Sequence, residues 1–296
     1  MGNIPDEILT QHHVRLEGKT AIVTGAGASI GRATAILFAS YGSNVIVSDK
    51  NISSAEETVS AIKSIKGESI ACRCDVTVWE DIVAMYELAV RGYGSVDIVE
   101  TNTKVANAGV GEIGGRMMHD PRSGRPTKPL VTTIDVNLTG VLYTVHLAQH
   151  YLEIGRPEDP SSMKCVILVG SMASWTPLSK APIYTASKHA VLAIMRSLDV
   201  SFASRGIRIA SIHPFFAGRH NLQSVDDCIP LTPVPRIAGA ILYAASQPDP
   251  SCNGAAFWIP DGGASTFMIS REEFKPGIYD YIDSKSNATS VYVTLV

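Results

Sequence analysis

Short β-branched runs alternate with longer helical segments along most of the chain, and this alternation restricts the fold more than any other feature. Ala21–Val23, Val45–Val47, Ser69–Arg73, Val96–Val99, Cys165–Val169, Ile207–Ile212 and Ala255–Ile259 read as buried strands. Between them, Ala33–Tyr41, Ser54–Ile65, Trp79–Val90, Leu138–Leu152 and Tyr184–Ala203 carry apolar residues at helical spacing. Continuously apolar strands separated by helices predict a parallel sheet covered on both faces. The expected fold class is therefore α/β, one doubly wound domain over residues 17–264. Residues 1–16 and 265–296 are expected as extensions.

The chain has 296 residues, of which 45% are hydrophobic and 18% charged, enough apolar material for a large core. A net charge of −3 gives no basic footprint for nucleic acid. Five cysteines, an odd number, do not form a disulfide framework and read as reduced thiols. The first residues lack the apolar segment of a secretory leader, and no apolar run is long enough to span a bilayer, so a cytoplasmic protein is expected. His146 and His150 are four apart on a helix, but no Glu follows His146, so no metal site is expected.

The first strand runs into Thr24-Gly25-Ala26-Gly27-Ala28-Ser29-Ile30-Gly31 and then a helix. Glycines allow a tight turn and close backbone approach, and a helix N-terminus offers unpaired N–H groups to a pyrophosphate. Alone, such a turn is weak evidence. Its placement between strand and helix, with Asp49 ending the next strand, makes a Rossmann-type dinucleotide site the expectation. A carboxylate there accepts bonds from the adenosine ribose and repels a 2′-phosphate, which favours NAD over NADP. Lys50 beside it softens that preference.

A second cluster carries the chemistry. Tyr184 and Lys188 are four apart, hence on one face of a helix. A nearby cation is expected to lower the tyrosine pKa and make the phenol a usable acid/base. Ser171 lies at the end of the strand Cys165–Gly170, at the sheet edge where ligands bind.

Together these motifs make residues 17–264 resemble the short-chain dehydrogenase/reductase family. The glycine turn resembles its TGxxxGxG, Asp75-Val76 its adenine contact and Ala106-Asn107-Ala108-Gly109 its NNAG. Asp261-Gly262-Gly263 resembles its closing DGG. The resemblance implies a catalytic set of Asn137, Ser171, Tyr184 and Lys188. It implies cofactor contacts at Gly25, Gly27, Ser29, Ile30, Gly31, Asp49, Asp75, Val76, Asn107, Gly109, Tyr184, Lys188 and Pro214. A homodimer or homotetramer through the helices bearing Asn137 and Tyr184 is implied as well. The stretch Thr232–Ile237 and the tail from Phe274 are similar to fungal members such as the hydroxyaverantin dehydrogenase of polyketide toxin pathways.

The chain departs from the family pattern at four places. Ser29 replaces the middle glycine of the turn, and Ala106 replaces an Asn. About five residues, Glu100–Lys104, are extra before Ala106, and His213-Pro214-Phe215-Phe216 replaces a Pro-Gly turn. The expected reaction is NAD-dependent interconversion of a secondary alcohol and a ketone on a bulky apolar substrate. Trp175, Phe215 and Phe216 are expected to line its pocket, with Arg116, Arg122, Arg125 and Lys128 on a charged loop. NADPH-dependent ketone reduction and an inactive dinucleotide-binding sensor or scaffold are the alternatives.

Overall fold

Residues 2–102, 117, 124–126, 128–154, 164–217, 231–260 and 265–274 are described by a computed structural model. The strands are β1 (Gly2–Pro5), β2 (Thr20–Thr24), β3 (Asn44–Asp49), β4 (Glu68–Arg73), β5 (Ile98–Thr101), β6 (Cys165–Val169), β7 (Arg208–Pro214), β8 (Ala256–Ile259) and β9 (Ser265–Ile269). They form one sheet in the order β1-β9-β8-β7-β6-β5-β2-β3-β4. The seven strands from β8 to β4 are parallel. Strand order reverses between β2 and β5, the switch point at which open α/β sheets take ligands.

Alternation along each strand sends side chains to opposite faces. Val23, Ile98 and Ile167 join one apolar cluster with α1 (Ser29–Ser40), α2 (Ile52–Ser64) and α7 (Val234–Ser246). Ile22, Val99 and Leu168 join a second cluster with α3 (Trp79–Tyr93), α5 (Gly140–Tyr151) and α6 (Pro182–Ser204). Phe38 and Tyr86, both fully buried, anchor the two layers, each contributing about 2–3 kcal/mol. The expected doubly wound domain is present.

The sheet's far edge differs from an all-parallel design. β9 returns antiparallel to β8, and β1 lies antiparallel on β9 with Gly2 opposite Met268. Both terminal segments thus join the sheet. β5 also runs past the expected end at Val99. Glu100 and Thr101, two of the five extra residues, continue its pairing with β6, and Glu100 also pairs with β2. The Asn102 amide then donates to Thr24 Oγ1 at 3.0 Å. At its start β5 is pinned by Asp97, which accepts from Thr20 N at 2.8 Å and pairs with the buried Lys164 at 2.9 Å.

Candidate active site

The glycine turn joins β2 to α1. Gly25 has φ +61°, and a Cβ at Gly31 would lie 2.8 Å from the Gly25 carbonyl carbon, so the helix packs against the turn only without a side chain there. Ala28, at the N-cap of α1, offers no side-chain acceptor to the first-turn amides, which include those of Ile30 and Gly31. Gly27 packs against Asp49: its N–H donates to Asp49 Oδ2 at 2.9 Å, and Asn51 N donates to Oδ1 at 2.9 Å. Each oxygen keeps a further lone pair for an outside donor.

Ser29 sits at φ +50°, in the left-handed region that costs a side-chain-bearing residue about 1–2 kcal/mol. Relief of that strain predicts that Ser29→Gly raises the melting temperature by about 2–4 °C, read by thermal unfolding. A variant that melts at or below the parent temperature removes strain as the property of this position.

Lys50, next to Asp49, is engaged elsewhere: its Nζ lies 2.6 Å from Asp75 Oδ2. Burial pushes the Asp75 carboxyl up, but the bonds from Lys50 and Thr77 outweigh it and hold the group below its usual range. Val76 follows, and its carbonyl would lie 2.9 Å from a Cβ at Gly140, which seats the start of α5 directly on this segment.

The second half of the site is built where β6 ends. Ser171 N-caps a short turn, its Oγ accepting from Ala173 N at 3.2 Å. Ser174 Oγ accepts from Ser171 N at 3.3 Å and donates to the Lys188 carbonyl at 2.7 Å, tying this turn to α6. Tyr184 and Lys188 share one face of α6, with Nζ 5.8 Å from the phenol ring centre. Asn137 lies in a π-helical turn, Asp135–Thr139, ahead of α5; such bulges are frequent at functional sites. Its amide donates to Ser187 Oγ at 3.1 Å, and Ser187 Oγ donates to the Tyr184 carbonyl at 2.7 Å. Asn137, Ser171, Tyr184 and Lys188 are therefore brought together at the carboxyl edge of the sheet, as is Pro214 at the end of β7.

The electrostatics differ from the expectation of a depressed tyrosine pKa. Burial raises the Tyr184 pKa, and the hydrogen bond with Ser171 is what lowers it in part. Lys188 donates to the Val169 carbonyl at 2.9 Å. Its own pKa falls to about 8, driven by burial and opposed by Glu100. His213, buried against Ser171, donates from Nδ1 to the Ser171 carbonyl at 3.2 Å, and its Nε2 accepts from Ser211 Oγ at 2.8 Å. Burial takes its pKa to about 3, so it is neutral at physiological pH.

Among the aromatic residues expected to line a pocket, Phe215 and Phe216 sit edge to face at 5.0 Å. Trp175 does not stand open. It stacks on Phe274 at 5.5 Å, and Arg196 of α6 covers the other ring at 4.8 Å. Arg271 locks the same segment to Asp199 of α6 at 2.6 Å. Trp175 is thus a strut between the Ser171 turn and the C-terminal segment. Asn107, Gly109, Ala106, Arg116, Arg122 and Asp261-Gly262-Gly263 lie outside the described residues. Sequence reasoning overlooked Ser174 and Ser187 as links of the site, although Ser187 stands inside the stretch from Tyr184 to Lys188.

An open α/β sheet with a glycine turn, an acid ending the second parallel strand, and Ser, Tyr and Lys gathered at the switch-point edge defines a dinucleotide-binding class of protein. The short chain dehydrogenase family model matches residues 19–225, and the chain belongs to that family. It is 32% identical over 260 residues to the 7alpha-hydroxysteroid dehydrogenase of Escherichia coli K12, covering 83% of this chain and 92% of that protein. It is 26% identical over 271 residues to the cyclohexanol dehydrogenase of an Acinetobacter species, covering 90% and 96%. A crystallised 7 alpha-hydroxysteroid dehydrogenase in complex with NADH and 7-oxo glycochenodeoxycholic acid superposes with a TM-score of 0.70 at 27% identity, covering 86% and 97%. Among the described residues, no helix is long and apolar enough to cross a membrane.

Proposed function

We propose that the chain is an NAD-dependent dehydrogenase that interconverts a secondary alcohol and a ketone on a bulky apolar substrate. The observation that carries this reading is the convergence of Ser171, Tyr184 and Lys188 at the same carboxyl edge of the sheet as the β2–α1 turn. That turn fits a dinucleotide: the α1 N-terminus has no side-chain cap, and a Cβ at Gly31 would collide with its backbone. Gly25, Ile30 and Gly31 would hold the pyrophosphate, Asp49 the adenosine ribose, and Asp75 and Val76 the adenine side. When bound, the nicotinamide ring supplies the two-electron hydride acceptor for the alcohol carbon.

Tyr184, as phenolate, takes the hydroxyl proton as the carbon gives up its hydride. The Ser171 hydroxyl donates to the substrate oxygen. Lys188 favours the phenolate through its charge and would bind the nicotinamide ribose, while Asn137 fixes α6 through Ser187. Because burial raises the free Tyr184 pKa, oxidation in this scheme gains from alkaline pH, and ketone reduction from the neutral phenol.

Phe215 and Phe216 after β7 support an aromatic or polyketide-like substrate, the class suggested by the expected resemblance of Thr232–Ile237 to fungal members. The hydroxysteroid and cyclohexanol relatives support alicyclic alcohols equally. We further propose a cytoplasmic homodimer or homotetramer. The test is a panel of aromatic and alicyclic secondary alcohols with NAD and with NADP, followed as reduced-cofactor absorbance. The expected result is turnover with NAD; turnover confined to NADP returns the NADPH-dependent reductase, and cofactor binding without turnover returns the sensor.

A further inference from the structure

His213 opens the stretch that replaces a Pro-Gly turn, and it stands in the site with both ring nitrogens committed. It is fully buried near the end of β7. A buried imidazole costs stability unless each nitrogen finds a partner. The Ser171 carbonyl can only accept, so Nδ1 carries the proton of that 3.2 Å bond. Nε2 of the neutral ring is then the bare nitrogen, and it accepts from the Ser211 hydroxyl at 2.8 Å. A hydroxyl on one side and a carbonyl on the other thus select one tautomer.

The surroundings shape a slot for this ring. A Cβ at Gly170 would fall on Nδ1 and Cε1 of the imidazole, so the glycine is what lets the ring approach the turn. Trp175 meets it edge to face at 5.4 Å. Trp258, opposite His213 in register on β8, donates its indole N–H to the sulfur of Met172, the residue after Ser171. Lys188 is bonded to the Val169 carbonyl, just before Gly170, and its charge opposes a second proton on the ring. Burial acts in the same direction and more strongly, so the ring stays neutral.

What the ring holds is the backbone from which the Ser171 hydroxyl is aimed. Ser171 N donates to Ser174 Oγ, and the Ser171 carbonyl accepts from Ser174 N at 2.9 Å as well as from His213. From that carbonyl the chain leads within one residue to Ala173 N, which donates to Ser171 Oγ. With that lone pair occupied, the hydroxyl keeps its proton for an acceptor outside the turn. We propose that His213 is a positioning residue, fixing the turn through the Ser171 carbonyl so that the Ser171 hydroxyl points at the substrate oxygen. His213 touches neither substrate nor reacting atoms; it acts through Ser171, and so this inference rests on the role proposed for Ser171.

Nitrogen NMR of the labelled imidazoles in the parent protein tests the arrangement without any substrate or variant. His213 is expected to show a protonated Nδ1 and a bare Nε2, unchanged from about pH 5 to about pH 8. A proton on Nε2, or a titration within that range, overturns the proposal. With a substrate in hand, His213→Leu fills the slot without a donor and is expected to lower kcat by about 10- to 100-fold. NADH affinity is expected to stay within about twofold of the parent value, since the loss falls on the transition state. His213→Asn, whose side-chain N–H stands near the place of Nδ1, is expected to recover most of that rate, which a packing role does not predict. A Leu variant with the parent kcat, or an Asn variant no faster than Leu, likewise overturns the proposal. Absence of turnover in the parent enzyme sinks the dehydrogenase reading, while the resonance test still decides whether His213 holds Ser171.

Discussion

Tyr184→Phe is expected to lower turnover by about 100- to 10,000-fold while leaving NADH affinity within about twofold of the parent value. The phenol oxygen is the group proposed to exchange a proton with the substrate oxygen at the end of β6 and the start of α6. Ser171 stays a hydroxyl, and His213 stays neutral with both ring nitrogens occupied by Ser171 and Ser211. Removing the oxygen leaves the ring, the α6 packing and the Asn137–Ser187 link in place. Binding is read by NADH fluorescence, and turnover by absorbance on the best alcohol. A Phe variant that retains a tenth of the parent rate assigns the proton transfer to another group.

Cofactor choice gives the other large effect. In the parent, kcat/KM is expected to favour NAD over NADP by a hundredfold or more, and Asp49→Ser is expected to erase most of that ratio. The Asp49 oxygens are held by Gly27 N and Asn51 N, so the carboxylate is fixed at the end of β3 and cannot swing away from a 2′-phosphate. Opposed like charges in a partly desolvated cleft cost on the order of several kcal/mol. Lys50 does not offset the repulsion, because it is drawn to Asp75. Steady-state kinetics with both cofactors decides: a parent that prefers NADP, or a variant with an unmoved ratio, removes Asp49 as the selector.

The parts of this molecule that could be read from its sequence are those fixed by local pattern. β-branched runs marked β2, β3, β6 and β7 because strands buried on both faces need apolar residues throughout. Tyr184 and Lys188 were legible as a pair because helical spacing alone brings them to one face. β1 was hidden, since Gly-Asn-Ile-Pro has a glycine and a proline, both poor strand formers, and owes its strand to pairing with β9. The end of β5 was misplaced because Glu100 looks like the start of a loop. The π-turn at Asn137 and the strut from Trp175 to Phe274 likewise depend on tertiary contacts that no local window contains.

The pairing of β1 with β9 also fixes an order of events during synthesis. Gly2 cannot meet Met268 until nearly the whole described chain has left the ribosome, and β8 has no neighbour beyond it until β9 turns back. Until β9 arrives the outer edge of the sheet, first that of β7 and then that of β8, is an open row of backbone donors and acceptors, the kind of edge that recruits strands from other chains. The same late segment, continuing to Arg271 and Phe274, is what braces the Ser171 turn and α6. A nascent chain thus carries Ser171, Tyr184 and Lys188 well before it carries their support, and the sheet edge and the reactive turn are finished together, by the same last few residues.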